Sequence, residues 1–296
     1  MILLSSLFRF RLFLLIIFSL ILNKNSFSQQ NKIIITAEKV VYKKIDSTLL
    51  NLHVYKPLNF HKDSIYNCIV FFHGGGWNNG SPKMFKRQSM YFASRGMIAI
   101  AAEYRIKNKH NTTPFEAVED AKSAIRYVRE NAKELSINPN MIVAGGGSAG
   151  GHLAAACGNI EGLDNPKENL KISSVPNALV LLNPVIDNGP NAFGYQRFRN
   201  RYKEISPIHN ISKGAPPTII LIGTKDKIIP VSTVKNYQTN MKTVGSRCEL
   251  VLYKDVGHAF FAKPPLKYFI ETTLEIDLFL NSLSYISGSP TINKQY

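Results

Sequence analysis

Gly146-Gly147-Ser148-Ala149-Gly150 sets a serine in the pattern G-x-S-x-G. Such a serine can act as a nucleophile when a strand turns sharply into a helix and lifts its hydroxyl above the sheet edge. Flanking glycines remove the Cβ atoms that would clash in that turn. Five residues alone are a modest signal. Here they follow the apolar run Met141–Ala144 and open the small-residue stretch Ala149–Cys157, the strand and helix that the turn requires. Attack on an acyl carbon builds negative charge on the carbonyl oxygen, and backbone N–H groups aimed at one point stabilise it. His73-Gly74-Gly75-Gly76-Trp77, at the end of the apolar run Cys68–Phe72, offers a loop that can approach that closely. The expected oxyanion donors are Gly75, Gly76 and Ala149, the residue after the nucleophile. A phosphate loop would need G-x-x-x-x-G-K-[ST], which is absent.

A base must reach Ser148 from the same sheet edge. Of seven histidines, His258 in Gly257-His258-Ala259-Phe260-Phe261 follows the last apolar strand and is favoured. His209 lies in an irregular stretch and is the weaker rival. His73 and His152 are expected to brace the oxyanion loop and the elbow. The acid that orients the base should follow a strand between serine and histidine. Asp226, directly after Thr218–Ile222, fits. Asp255 is the alternative, but a residue three positions before His258 folds back onto its ring with difficulty. The order Ser148, Asp226, His258 differs from the two common serine-protease orders. Trp77 is expected to bind substrate by packing against a sugar or acyl group; bracing the oxyanion loop is the other reading. No metal-ligand spacing appears and the chemistry needs no cofactor.

The elements that must position these groups show in the periodicity. Residues 33–56 read as two strands, beginning with Ile33-Ile34-Ile35-Thr36 and recurring around Leu50–Tyr55. Cys68–Phe72, Met97–Ala102, Met141–Ala144, Ala178–Leu182, Thr218–Ile222 and Glu249–Tyr253 read as further strands. Lys83–Ser94, Phe115–Leu135, Ala149–Cys157, Val231–Val244 and Leu266–Leu283 read as helices. In the longest, Ala117, Ala121, Ala124, Ile125 and Val128 share one stripe. Alternation of strands and helices predicts an α/β fold with a mostly parallel sheet, helices on both faces and an antiparallel N-terminal edge. Residues 185–217 have no clear period and are expected to form a lid or substrate rim. Residues 284–296 read as polar and loose.

Composition limits the remaining possibilities. With 296 residues, 45% of them hydrophobic and 19% charged, the chain can bury one large core. Arg9 and Arg11 precede the apolar run Leu12–Leu22, and Ser26-Phe27-Ser28 follows as a small-x-small site. This is the layout of a secretory signal peptide over residues 1–28, which predicts a secreted or periplasmic protein with a single domain over 29–296. The alternative is an uncleaved segment, which would be the chain's one membrane contact. The net charge is +16, and loss of Arg9, Arg11 and Lys24 would leave +13. A basic surface favours anionic partners, yet no nucleic-acid-binding motif is present. Cys68, Cys157 and Cys248 are too few for a disulfide framework and read as free, buried thiols. Arg197, Arg199, Arg201 and Lys203, interleaved with Phe198 and Tyr202, form a basic stretch that would meet an acidic sugar if the 185–217 segment overhangs the pocket.

With these residues in place, the chain resembles the α/β-hydrolase esterases related to hormone-sensitive lipase. It is most similar to their bacterial carbohydrate-esterase-like branch, which includes acetyl xylan and feruloyl esterases. The resemblance spans roughly residues 40–283. It rests on HGGGW at 73–77, DAKSAIRYVRENA at 120–132, GGGSAGGH at 145–152, GTKDKIIPV at 223–231 and GHAFF at 257–261. Gly147 departs from much of that family, which has aspartate before the serine. The resemblance implies a serine carboxylic-ester hydrolase acting on a small ester or an esterified carbohydrate. Two other readings compete: an amide hydrolase, such as a prolyl-oligopeptidase-like peptidase or an arylformamidase, and a non-catalytic binding protein on the same fold.

Overall fold

A computed structural model describes residues 35–292. The predicted signal segment, residues 1–28, lies outside the described residues. Eight strands form one sheet: β1 (Ala37–Ile45), β2 (Thr48–Tyr55), β3 (Tyr66–Phe72), β4 (Ile98–Ala102), β5 (Ile137–Gly147), β6 (Ala178–Leu182), β7 (Thr218–Gly223) and β8 (Cys248–Tyr253). Their order across the sheet is β1-β2-β4-β3-β5-β6-β7-β8. β1 and β2 pair antiparallel, as do β2 and β4; every other neighbour is parallel. The hairpin edge and the parallel body are thus as predicted. β4, β6 and β7 are buried along their whole length, which is why they read as unbroken apolar runs.

The longer helices are α1 (Lys86–Ser94), α2 (Pro114–Glu130), α3 (Ala149–Asn159), α4 (Val231–Thr243) and α5 (Lys267–Ser282). Side chains of one strand alternate between two cores. Cys68, Val70 and Phe72 of β3 join Ala121, Leu153 and Tyr237 of α2, α3 and α4. Ile69 and Phe71 join Phe92 of α1 and Phe269, Ile276 and Leu280 of α5. The helices therefore cover both faces. The Ala117–Val128 stripe of α2 is fully buried. Thr113 and Glu116 close a capping box at its start.

Some boundaries and one segment differ from the sequence expectation. β1 begins at Ala37, so Ile35 and Thr36 precede the strand, and Ile33 and Ile34 lie outside the described residues. The apolar run is real, but pairing with Tyr55 of β2 starts only at Ala37. α2 ends at Glu130 rather than Leu135, where Asn131 turns its Nδ2 back to the Tyr127 carbonyl and Ile137 N–H closes onto Ala132. Residues 284–292 are not loose. Tyr285, Ile286 and Ile292 are buried, Asn67 donates to the Tyr285 carbonyl, and Arg95 donates to the carbonyls of Ser287 and Gly288. Three apolar residues without a period gave no sign of this docking.

The chain runs from β3 outward to β4, then returns to β5 on the other side of β3. This reversal opens a crevice at the carboxyl ends of β3 and β5. The His73 loop and the Ser148 turn leave the sheet at that crevice, since Phe72 pairs with Gly146.

Candidate active site

Ser148 sits between β5 and α3 with φ 56° and ψ −119°, a strained conformation for a residue with a side chain. Its surroundings hold it there. Its N–H donates to the Leu182 carbonyl, and its own carbonyl accepts from the N–H groups of His152 and Val185. The turn also presses against β3: a Cβ on Gly150 would lie 2.0 Å from the Phe72 carbonyl oxygen. At Gly147 a Cβ would lie 2.4 Å from the Phe261 ring. That contact leaves no room for a side chain at position 147.

Asp226 follows β7 and His258 follows β8, at the same sheet edge as Ser148. His258 Nε2 is 2.9 Å from Ser148 Oγ, and His258 Nδ1 is 2.7 Å from Asp226 Oδ2. The Asp226 side chain has no solvent exposure. Burial pushes its carboxyl up, but hydrogen bonds from His258 and from the N–H groups of Ile229 and Ile228 outweigh this and hold it below the usual carboxylate range. An ionised carboxylate can only accept, so Nδ1 carries the ring proton. Nε2 is then free to accept from the Ser148 hydroxyl. Asp255 does not reach the ring; its carboxylate lies exposed, 3.1 Å from Lys225 Nζ. His209 bonds the Ser206 hydroxyl instead.

The two bracing histidines are buried and neutral. His73 Nδ1 is 2.8 Å from the Gly74 carbonyl, and its ring stacks on Tyr104. His152 Nε2 donates to the Ile205 carbonyl. Burial pushes each pKa down to about 4. In the oxyanion loop the Gly75 carbonyl accepts from Asn78 and Asn79, which curls the chain after the glycines. Gly75 and Gly76 have φ of 123° and 60°, the region that favours glycine.

Trp77 corrects one expectation. It is 1% exposed, packed on His152, Phe193 and Phe198, and so braces the loop rather than touching substrate. The basic stretch 197–203 is also partly engaged. Arg197 lies over the Trp77 ring and donates to the Gly76 carbonyl at 2.5 Å. Arg201 lies over Phe115 and pairs with Glu204. Within 185–217 the chain forms the short helical turns Tyr195–Phe198, Arg199–Arg201, Tyr202–Ile205 and Pro207–His209.

Asn183 was missed by sequence reasoning. It directly follows β6, is fully buried, and its Oδ1 accepts from the N–H of Ala259, beside the base. The available signal was a polar residue closing a wholly apolar strand at the edge where the other site residues gather.

Two family models match. BD-FAE, the bifunctional feruloyl and acetyl xylan esterases, covers residues 52–193, and the dienelactone hydrolase family covers 187–273. Esterase 2 of the planctomycete Thermogutta terrifontis, solved with propionate bound, superposes with a TM-score of 0.82 at 42% identity over 86% of this chain and 97% of that one. The chain belongs to the α/β-hydrolase esterases. Further structures of the Thermogutta esterase hold butyrate or are phosphonylated by cyclosarin. Among curated relatives, isoprenylcysteine alpha-carbonyl methylesterase of Arabidopsis thaliana is 27% identical over 73% of this chain and 55% of its own length. An acetylxylan esterase of Xylanibacter ruminicola is 27% identical over 73% of this chain and 45% of its own. The chain spans about half the length of these curated relatives.

Proposed function

We propose that this esterase hydrolyses short-chain carboxylic esters through an acyl-enzyme on Ser148, with a carbohydrate as the alcohol. The observation that carries the proposal is the unbroken line of hydrogen bonds from Ser148 Oγ through His258 to Asp226. His258 Nε2 removes the Ser148 proton as Oγ bonds to the acyl carbon. The carbonyl oxygen becomes negative beside the N–H groups of Gly75, Gly76 and Ala149. His258 then returns the proton to the departing alkoxide, and water repeats the sequence on the acyl-enzyme to release the acid. The propionate and butyrate in the Thermogutta esterase, and the acetylxylan esterase among the relatives, favour acetyl to butyryl groups. The Arg9–Ser28 layout favours export, which detection of the protein outside the cytoplasm with a cleaved N-terminus would test.

The direct test is a series of p-nitrophenyl esters of rising chain length, with acetylated xylan and methyl ferulate beside them. Rates should be highest at short acyl chains. Ser148→Ala should reduce kcat by roughly 10³-fold or more, and paraoxon should add one phosphoryl group to the wild type and none to the variant. Full activity in the variant would overturn the assignment.

A further inference from the structure

His258 lines a cleft of about 620 Å³ whose wall also holds Lys225, Lys227, Lys263, Asp255 and Tyr268. Asp255 is the one acid in that wall, and it pairs with Lys225 at 3.1 Å. Lys227 and Lys263 remain as exposed cations. A second cleft of about 630 Å³ shares Lys263 and Pro264 with the first, adds Lys83 and Arg87, and has no acid in its wall. Positive charge thus runs along the surface from the catalytic base toward α1.

The chemistry says which half of the ester meets this surface. When the tetrahedral intermediate breaks down, His258 must hand its proton to the leaving oxygen. The alcohol oxygen therefore departs at His258 Nε2, and this cleft shares the His258 ring. We propose that these joined clefts bind an alcohol half that carries negative charge, namely a carboxylate-bearing sugar. This rests on the esterase reading above and adds the charge of the alcohol. Single exposed cations bind weakly. Several of one sign around an open cleft raise the local concentration of an anionic substrate, and salt weakens the effect. Tyr268 supplies a half-buried aromatic wall for a sugar ring. The sequence pointed instead to the 197–203 stretch, where Arg197 and Arg201 are held by groups of the protein itself while Arg199 and Lys203 are exposed.

The test compares two monoacetylated sugars, methyl glucopyranoside and methyl glucopyranosiduronate, by acetate release. At low salt the wild type should favour the uronate by about tenfold in kcat/KM, falling to about twofold at roughly 0.3 M salt. The double variant Lys227→Glu/Lys263→Glu should abolish or invert that preference. A wild type that treats the two esters alike, or a double variant that keeps the preference, would overturn the subsite while leaving the esterase intact. Acetate release from the neutral ester by Ser148→Ala would instead overturn the esterase reading itself.

Discussion

Ser148 and His258 meet at 2.9 Å, yet they arrive there on segments of opposite character. The elbow side is closed. Residues 145–147 and 149–156 are buried, and the turn packs so tightly on β3 that no side-chain carbon fits at Gly150. The base side is open. Lys254, Asp255 and residues 262–267 are exposed, and a Cβ on Gly257 would meet nothing nearer than the Lys225 carbonyl at 3.6 Å. His258 is held by side chains instead, through Asp226 and through Asn183 on its neighbour Ala259. The difference follows from what each side does. Charge develops on the carbonyl oxygen at the elbow, and donors there act best when they need not move. In the proposed reaction the alcohol departs at the base, on the side where the chain is open.

If Asp226 is what orients the ring on the open side, Asp226→Asn should lower kcat by about 10⁴-fold with little change in thermal stability. The amide would favour the wrong ring tautomer, leaving Nε2 unable to accept the serine proton. A loss below about tenfold, read from steady-state rates, would mean that the segment orients His258 without Asp226. The same substitution made on both sides tests the packing contrast. Gly150→Ala should cost roughly 3 kcal/mol or more, because the backbone of β3 must shift, whereas Gly257→Ala should stay within about 0.5 kcal/mol. Equal shifts in denaturation midpoint would erase the distinction. A further effect concerns acid. His73 and His152 stay neutral in the folded protein until about pH 4, while the unfolded chain protonates its histidines near 6.5. Their contribution to stability is therefore complete above about pH 6.5 and declines as pH falls toward 4. Tm should drop by about 5–10 °C between pH 7 and pH 4.5, and His152→Gln should flatten part of that slope. A Tm that is flat over this range would show that neither ring is kept neutral by burial.

Much of the site was legible without a structure. Ser148, Asp226 and His258 each follow an apolar run, and a strand's end is a local event marked by the residues that stop it. Asp226 was separable from Asp255 because backbone geometry over three residues is short-range. Trp77 was not legible in this way. A lone tryptophan beside a glycine loop reads equally as an exposed platform or a buried brace, and what decides between them is Phe193, Phe198 and His152 arriving from distant segments. Residues 285–292 misled for the same reason: their apolar members pack on strands and helices far away in the chain, so no period betrays them.

The sequence by itself located the reaction centre: a serine on a glycine elbow and the order of acid and base along an alternating α/β chain. These depend on backbone chemistry over a few residues and on the periodicity of burial. Tertiary structure alone decided which polar groups are already engaged. Arg197 reaches Gly76 across 121 positions of sequence, Asn183 steadies the base loop across 76, and the unpaired lysines gather beside His258 only because β7 and β8 lie side by side. Charge listed along a chain does not say where it is neutralised, because an ion pair needs only proximity in space.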